Sequence, residues 1–356
     1  MSVLGAGSWV NASHLPILAE RGDVDFIGVC RRGEEALAAV TERWGFEVAS
    51  EDYAPVLAVD PDIVIVASPT SFHHEHAKAA LKAGAHVLVE KPFTLTAAEG
   101  WDLVETARAV DRQIVVSLGY NFKPVVRSAR ALLEDHGGIG RIESLVVSMS
   151  SGTRTLLTQS GAYPKAAGDF PPDSATWVDP RLSGGGYGQA QLPHALGAAL
   201  YLSGLRASEV YALMAPSDST GRGTVELDDA MTVRYTDGAI GTVSGTSAHP
   251  CYLAERDLLD IRLVGSDGQL DLEFEHDHVA LHKEGTTHTA ALADGDGSYD
   301  CIGPPNALAD IALGRPIINP APGELGARTA ELLEAAYRSA ASGAPVLVDS
   351  LREGQS

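Results

Sequence analysis

Near the N-terminus, Gly5-Ala6-Gly7-Ser8-Trp9-Val10 follows the apolar Ser2-Val3-Leu4 and leads into a stretch that reads as helix. Two glycines one residue apart let a backbone turn tightly and approach a pyrophosphate, whose charge the free N–H groups of the next helix would hold. Val10 stands where a dinucleotide fingerprint has its third glycine, so the spacing also suits an ordinary strand–turn–helix. A second cluster, Cys30-Arg31-Arg32, closes the next predicted strand. An NAD site usually places a carboxylate there for the ribose 2′-hydroxyl, and along the chain none is in reach until Glu34. Two guanidiniums suit a 2′-phosphate instead, through charge and paired N–H donors, which predicts NADP, with NAD as the alternative. A third cluster, Val89-Glu90-Lys91-Pro92, ends a further predicted strand, where open α/β sheets bind ligands. A lysine there can donate to an oxygen that becomes alkoxide or carbonyl in hydride transfer. Glu90 would orient that lysine or meet cofactor hydroxyls, and Pro92 would fix the turn.

These residues need elements to position them. Strands are predicted at residues 2–4, Val24–Cys30, Ile63–Ser68, Val87–Val89 and Ile114–Leu118, with helices from near Asn11, over Glu34–Arg43, over His76–Ala83 and near Ala97–Ala109. Strand–helix alternation at this spacing, with runs such as Ile63-Val64-Ile65-Val66 apolar on both faces, indicates a doubly wound parallel sheet. Beyond residue 120 the pattern changes. A helix near Val125–Asp135 stops at Gly137-Gly138, and alternating strands follow at Ile142–Met149, Glu209–Leu213, Ala230–Tyr235, Ile240–Thr246, Leu258–Val264, Leu270–Phe274 and Val279–Leu281. Asp237-Gly238 and Asp267-Gly268 between pairs of them are tight-hairpin signals. The expected fold is therefore α/β: a nucleotide-binding domain over 1–119, then an α+β domain over 120–356 with a large open, mainly antiparallel sheet and a closing helix over 325–341.

The 356 residues include 26 Lys plus Arg and 47 Asp plus Glu, a formal charge of −21. Such a chain, without a basic run, neutralises phosphates poorly, which argues against nucleic acid, and it repels anionic membranes. No apolar run approaches the ~20 residues that span a bilayer. Cys30, Cys251 and Cys301 are far apart and odd in number, so they read as idle thiols in a reducing cytoplasm. His73, His74 and His76, around Glu75, read as a loop at the cofactor cleft, and no metal site is expected. His276, His278, His282 and His288 read as solvated.

Taken together, the motifs resemble one family. Gly5-x-Gly7 with His14-Leu15-Pro16, Ser68-Pro69-Thr70 with His73, Ala85-His86-Val87-Leu88-Val89-Glu90-Lys91-Pro92, Tyr120-Asn121-Phe122-Lys123-Pro124, Gly184-Gly185-Gly186 with His194, and the closing Glu334–Ser339 segment with Gly343-Ala344-Pro345-Val346 occur in the order of the Gfo/Idh/MocA oxidoreductases, relatives of glucose–fructose oxidoreductase and inositol 2-dehydrogenase. The resemblance implies a Rossmann domain, an α+β domain whose open sheet makes a subunit interface, and hydride transfer between nicotinamide and a secondary alcohol or ketone of a sugar or cyclitol. It implies that Lys91 contacts the reacting oxygen, that Lys91–Pro92 is cis, and that Ser68, Pro69, Thr70 and His73 line the cofactor cleft. The family usually places an Asp four residues before the histidine, and here that position is Ala190, with no carboxylate between Gly186 and His194. His194 remains a general acid/base by its ordinary pKa, Tyr120 or Tyr187 are alternative acids, and Gln189 and Gln191 can bind sugar hydroxyls. The reading is thus an NADP-preferring oxidoreductase of a sugar-like substrate, a homodimer or homotetramer in the cytoplasm. The alternatives are a variant with an altered proton path (glycoside ring-hydroxyl oxidation, or imine or enone reduction) and an inactive cofactor-sensing protein. Further pocket residues are expected in 151–181, with Arg154, Tyr163, Lys165 and Trp177 as candidates.

Overall fold

Six short strands come first: β1 (Ser2–Leu4), β2 (Gly28–Cys30), β3 (Val48–Ser50), β4 (Ile63–Val66), β5 (His86–Val89) and β6 (Ile114–Val116). In the computed structural model, which describes residues 1–160, 170, 173, 175–216, 225–248, 256–349 and 351, they pair in parallel in the order β3-β2-β1-β4-β5-β6. The apolar runs are buried on both faces because successive residues enter different cores. Val64 and Val66 pack with Ala77, Ala80 and Leu103, whereas Ile63 and Ile65 pack with Val10, Leu15 and Val40. This is the doubly wound arrangement, whose strand order reverses between β1 and β4 and opens a crevice there.

The second core has a late contributor. Helix Gly303–Ala312 supplies Leu308 and Ala309 beside Leu88 and Val115, and the following segment bonds back to β6 through Val116 N–H and the Ala321 carbonyl at 2.8 Å. The sequence reading did not foresee this helix. Pro304-Pro305 looks like a breaker, yet its prolines occupy the first turn, where a missing N–H costs nothing.

The remaining strands are β7 (Ile142–Ser151), β8 (Ala207–Pro216), β9 (Glu226–Tyr235), β10 (Ile240–Ser247), β11 (Leu258–Gly265), β12 (Gly268–Glu273), β13 (His278–Lys283), β14 (Thr286–Thr289) and β15 (Val346–Leu347). They form a nine-stranded sheet in the order β14-β13-β12-β11-β7-β10-β9-β8-β15, antiparallel except for the β7–β10 pair. Both Asp-Gly turns lie between consecutive antiparallel strands, β9–β10 and β11–β12. One face of this sheet packs under helices Leu192–Ser203 and Gly323–Ser342. The other leaves Val146, Tyr211, Leu213 and Ile240 exposed.

Some boundaries and elements differ from expectation. The strand expected over Val24–Cys30 is ordered as strand only at Gly28–Cys30. The helix expected from His76 begins at His73, after a 3₁₀ turn at Thr70–Phe72, so His73 and His76 share a helix face. Strand β3 and the helix Tyr53–Leu57, too short to show a period, were not anticipated. Among the described residues no helix is long and apolar enough to cross a membrane. Tyr163, Lys165 and Cys251 lie outside the described residues.

Candidate active site

The C-terminal ends of β1, β2, β4 and β5 open into one cleft of about 920 Å³, walled opposite by residues 182–194 and the loop bearing Tyr299. At its first end Gly5 takes φ +92°, and a Cβ there would meet the Ser68 backbone nitrogen at 2.2 Å. Only glycine permits that turn and that approach together. A Cβ on Gly7 would point into open space, so the chain leaves room where a ligand would meet the N–H groups of Ser8, Trp9 and Val10. Ser68, Pro69 and Thr70 form the facing wall. His73 is a brace rather than a free ligand: Nδ1 lies 2.9 Å from the Pro92 carbonyl and Nε2 2.8 Å from that of Ser68. Burial, against those carbonyls, lowers its pKa, and a neutral ring can donate to one of them at a time.

The arginines diverge. Arg31 is half-buried, donates to the Ala6 carbonyl and sits 5.6 Å from the Phe170 ring. Arg32 is exposed and lies 5.4 Å above the Phe72 ring. The expectation that no carboxylate is in reach before Glu34 is corrected here. Because β3 pairs beside β2, it brings Glu51 and Asp52 to the same rim, and Glu51 Oε1 accepts from the Gly33 N–H at 2.6 Å.

The other end of the cleft is built on β5. Glu90 Oε1 is 2.6 Å from His14 Nε2 and accepts from the Trp9 indole at 3.1 Å, while Oε2 accepts from the Lys91 backbone N–H. Burial would raise the Glu90 pKa, but the His14 hydrogen bond, the His14 charge and the Lys91 charge outweigh it and hold the carboxylate low, at about 2. The Lys91–Pro92 peptide is cis. Lys91 Nζ donates to the Ala190 carbonyl at 2.7 Å and lies 5.5 Å from the Trp177 ring. Burial lowers its pKa, opposed by the charges of Glu90, Cys301 and Asp257. His194 packs edge-on to Tyr120 and Tyr299, with ring centroids 5.9 and 4.8 Å away. Tyr120 donates to Asp257 Oδ2 at 3.4 Å. Lys91, Tyr120, Gln189, Gln191 and His194 all line the cleft. Tyr187 does not. Its ring is fully buried, its hydroxyl bonds Ser151 Oγ and the Met149 carbonyl, and burial drives its pKa far up, so the expected role as an acid does not fit, and neither does Tyr187 as a substrate-binding residue, which its place beside Gln189 and Gln191 in the sequence also led us to expect.

The Gly184–Gly186 turn has its own support. Gly186 and Gly188 N–H groups donate to Glu226 at 2.9 and 3.0 Å, and Tyr337 donates to the same carboxylate at 2.5 Å while accepting from Gln189 N–H. A Cβ on Gly186 would strike the Glu226 carbonyl at 2.1 Å. Beneath it lies Asp229, buried, with neither carboxylate oxygen bonded among the described residues. Burial, then the Glu226 and Asp228 charges, push its pKa up to about 8.

With this geometry the comparisons are unambiguous about kinship. Residues 1–118 match the model of an oxidoreductase family with an NAD-binding Rossmann fold, and residues 126–271 match the Gfo/Idh/MocA C-terminal domain. The chain belongs to the Gfo/Idh/MocA oxidoreductase family. It is 32% identical over 123 residues to D-glucoside 3-dehydrogenase of Escherichia coli, covering 34% of this chain and 35% of that one. It is 27% identical over 274 residues to levoglucosan dehydrogenase of Pseudarthrobacter phenanthrenivorans, covering 69% and 64%. The matches thus span about a third and just under two thirds of these relatives. A solved levoglucosan dehydrogenase in complex with NADH and levoglucosan has the same fold, with a TM-score of 0.76, 21% identity and 98% coverage of both chains.

Within this Gfo/Idh/MocA chain, Tyr299 and Asp257 line the cleft but escaped the sequence reading, because they stand in irregular segments without local pattern. Cys301, read as idle, lies behind the cleft with its Sγ 3.3 Å from the Tyr299 hydroxyl. Burial, then the Glu90 charge, push the Cys301 thiol up to about 12, so it is no nucleophile.

Proposed function

We propose that the protein is an NADP-preferring oxidoreductase that interconverts a secondary alcohol and a ketone on a sugar-like substrate. The observation that carries this reading is one cleft with the Gly5–Val10 turn at one end and Lys91, Tyr120 and His194 gathered at the other. The residues present fit a dinucleotide: the Gly5 turn that excludes a Cβ, the open approach at Gly7, and the N–H groups beyond it would hold the pyrophosphate. Arg32 would meet the 2′-phosphate, with Arg31 bracing the turn behind it. When bound, the nicotinamide accepts or gives the hydride.

The chain's own residues handle the oxygen and the proton. Lys91, its ammonium made less stable by burial, stabilises negative charge on the reacting oxygen and gives up its proton more readily than a solvated lysine does. His194 is its acid/base neighbour. Trp177, beside the lysine, offers the apolar ring face that a pyranose ring can pack against. Oxidation of a glycoside ring hydroxyl is a second reading, favoured by the likeness to D-glucoside 3-dehydrogenase. Cys30 and Cys301 are free and buried, which supports a reducing, cytoplasmic setting, and the exposed apolar row on the second sheet supports assembly with a second copy.

The test is a panel of sugars, glycosides and cyclitols read at the nicotinamide absorbance. Lys91→Ala is expected to lower kcat by about 10²–10⁴-fold while binding NADPH as the parent does. No turnover on any member, with NADPH still bound, would favour a cofactor sensor and sink the enzyme reading.

A further inference from the structure

Alcohol oxidation frees a proton at a buried oxygen, and something must take it. The stretch that faces Lys91 ends in His194 but offers no carboxylate between Gly186 and that histidine, and the atom touching Lys91 Nζ is the Ala190 carbonyl. Other carboxylates on the cleft are engaged or distant. Glu90 is bound by Trp9, His14 and the Lys91 N–H. Glu51 and Asp52 lie at the β2 rim, with Glu51 bonding Gly33. Glu75 accepts from Tyr53, and Asp173 accepts from the Ala175 N–H.

We propose that Asp257, immediately before β11, is the carboxylate of this reacting centre, and that it acts through Tyr120. The inference rests on the oxidoreductase reading above. Asp257 Oδ2 accepts from the Tyr120 hydroxyl, the Tyr120 ring is set by edge contacts with His194, Tyr299 and Phe274, and all but Phe274 line the cleft with Lys91. In the oxidative direction the substrate C–H pair departs as hydride to the nicotinamide. The substrate O–H bond breaks and its proton passes to the Tyr120 oxygen. The Tyr120 O–H bond breaks in turn and its proton goes to Asp257, which ends as a carboxylic acid while the tyrosine stays neutral. Reduction runs the same path backwards. The titratable groups that face the pair are Lys91, His194, Tyr299 and the buried Tyr187, and Lys91 is faced also by Glu90 and Cys301.

The experiment compares Asp257→Asn, Tyr120→Phe and the double variant with the parent, each checked for an unchanged Tm. With six lysines in the chain, ¹⁵N-lysine labelling and a Lys91→Arg control assign the Lys91 amine by NMR without any turnover. In Asp257→Asn that amine should titrate at lower pH by about half a unit or more, since an anion facing it is gone. With an active substrate, each single variant should lose about 10²-fold in kcat with KM within about threefold. The double variant should be no worse than either single one, because both cut one path. An unmoved Lys91 titration, or additive losses in the double variant, overturns the proposal. A shifted Lys91 titration in a protein inactive on every sugar tested supports Asp257 as the charge partner of Lys91 and overturns the function proposed above.

Discussion

Arg31 commits its guanidinium to the Ala6 carbonyl and the Phe170 ring, whereas Arg32, its exposed neighbour, lies over Phe72 at the mouth of the cleft. Cofactor choice should therefore follow Arg32. Arg32→Ala is expected to raise the NADPH Kd by about 10–100-fold, the loss of one charge-assisted pair, and to move the NADH Kd by less than about threefold. Arg31→Ala should weaken both cofactors alike, because it loosens the turn that both would use. Fluorescence titration of the reduced cofactors separates the two outcomes, and equal NADPH and NADH affinity in the parent would count against NADP preference. Residue types alone could not divide these roles. Two adjacent arginines look equivalent along the chain, and Glu51, which shares their rim, is twenty positions from Arg31 and arrives through a three-residue strand with no readable period.

The Gly184–Gly186 turn and the helix that follows it position Gln189, Gln191 and His194, and Glu226 holds that turn from behind through the Gly186 and Gly188 N–H groups. Asp229 on the same strand is a buried acid that keeps its proton in the folded chain up to about pH 8, against 3.8 as its ordinary value. Its raised folded pKa means that the unfolded chain ionises first, so this residue costs stability increasingly as pH climbs from about 4 to about 8. Asp229→Asn should accordingly stabilise the protein by roughly 2–4 kcal/mol at pH 8 and by less at pH 5, read as Tm at the two pH values. A Tm difference that shrinks as pH rises would refute this account. Long periodic elements were legible from sequence: the helix Ala97–Ala109, closed by the Thr96–Glu99 capping box, lies where the pattern puts it. The helix Leu192–Ser203 was not, because it is apolar on every side and has no polar face to give it a period. The same limit applied to the site. Lys91 was visible through its tripeptide, while Asp257 and Tyr299 reach the cleft only by tertiary folding.

Across the whole molecule, the two sheets present opposite surfaces. The first is buried on both faces, whereas the second exposes an alternating row with Val146, Tyr211, Leu213 and Ile240 among its members. A row of that kind is suited to a partner with the same row, as in a two-fold assembly. If a second copy covers this row, as proposed, Leu213→Arg should give a smaller species than the parent by light scattering, with the cofactor affinity unchanged, and a parent already monomeric would end that reading. A different consequence follows from helix Gly303–Ala312, which completes the core beside β5 and β6. During synthesis, the nucleotide-binding domain leaves the ribosome with the seat of Leu308 empty, and nearly two hundred residues must be made before that seat is filled. A fragment of residues 1–119 should thus expose apolar surface, bind a hydrophobic dye and unfold without a sharp transition, and added 299–356 peptide should sharpen it. The first-made third of the chain is thus completed only after residue 308 has been added, which lengthens the time its apolar surface is open to aggregation.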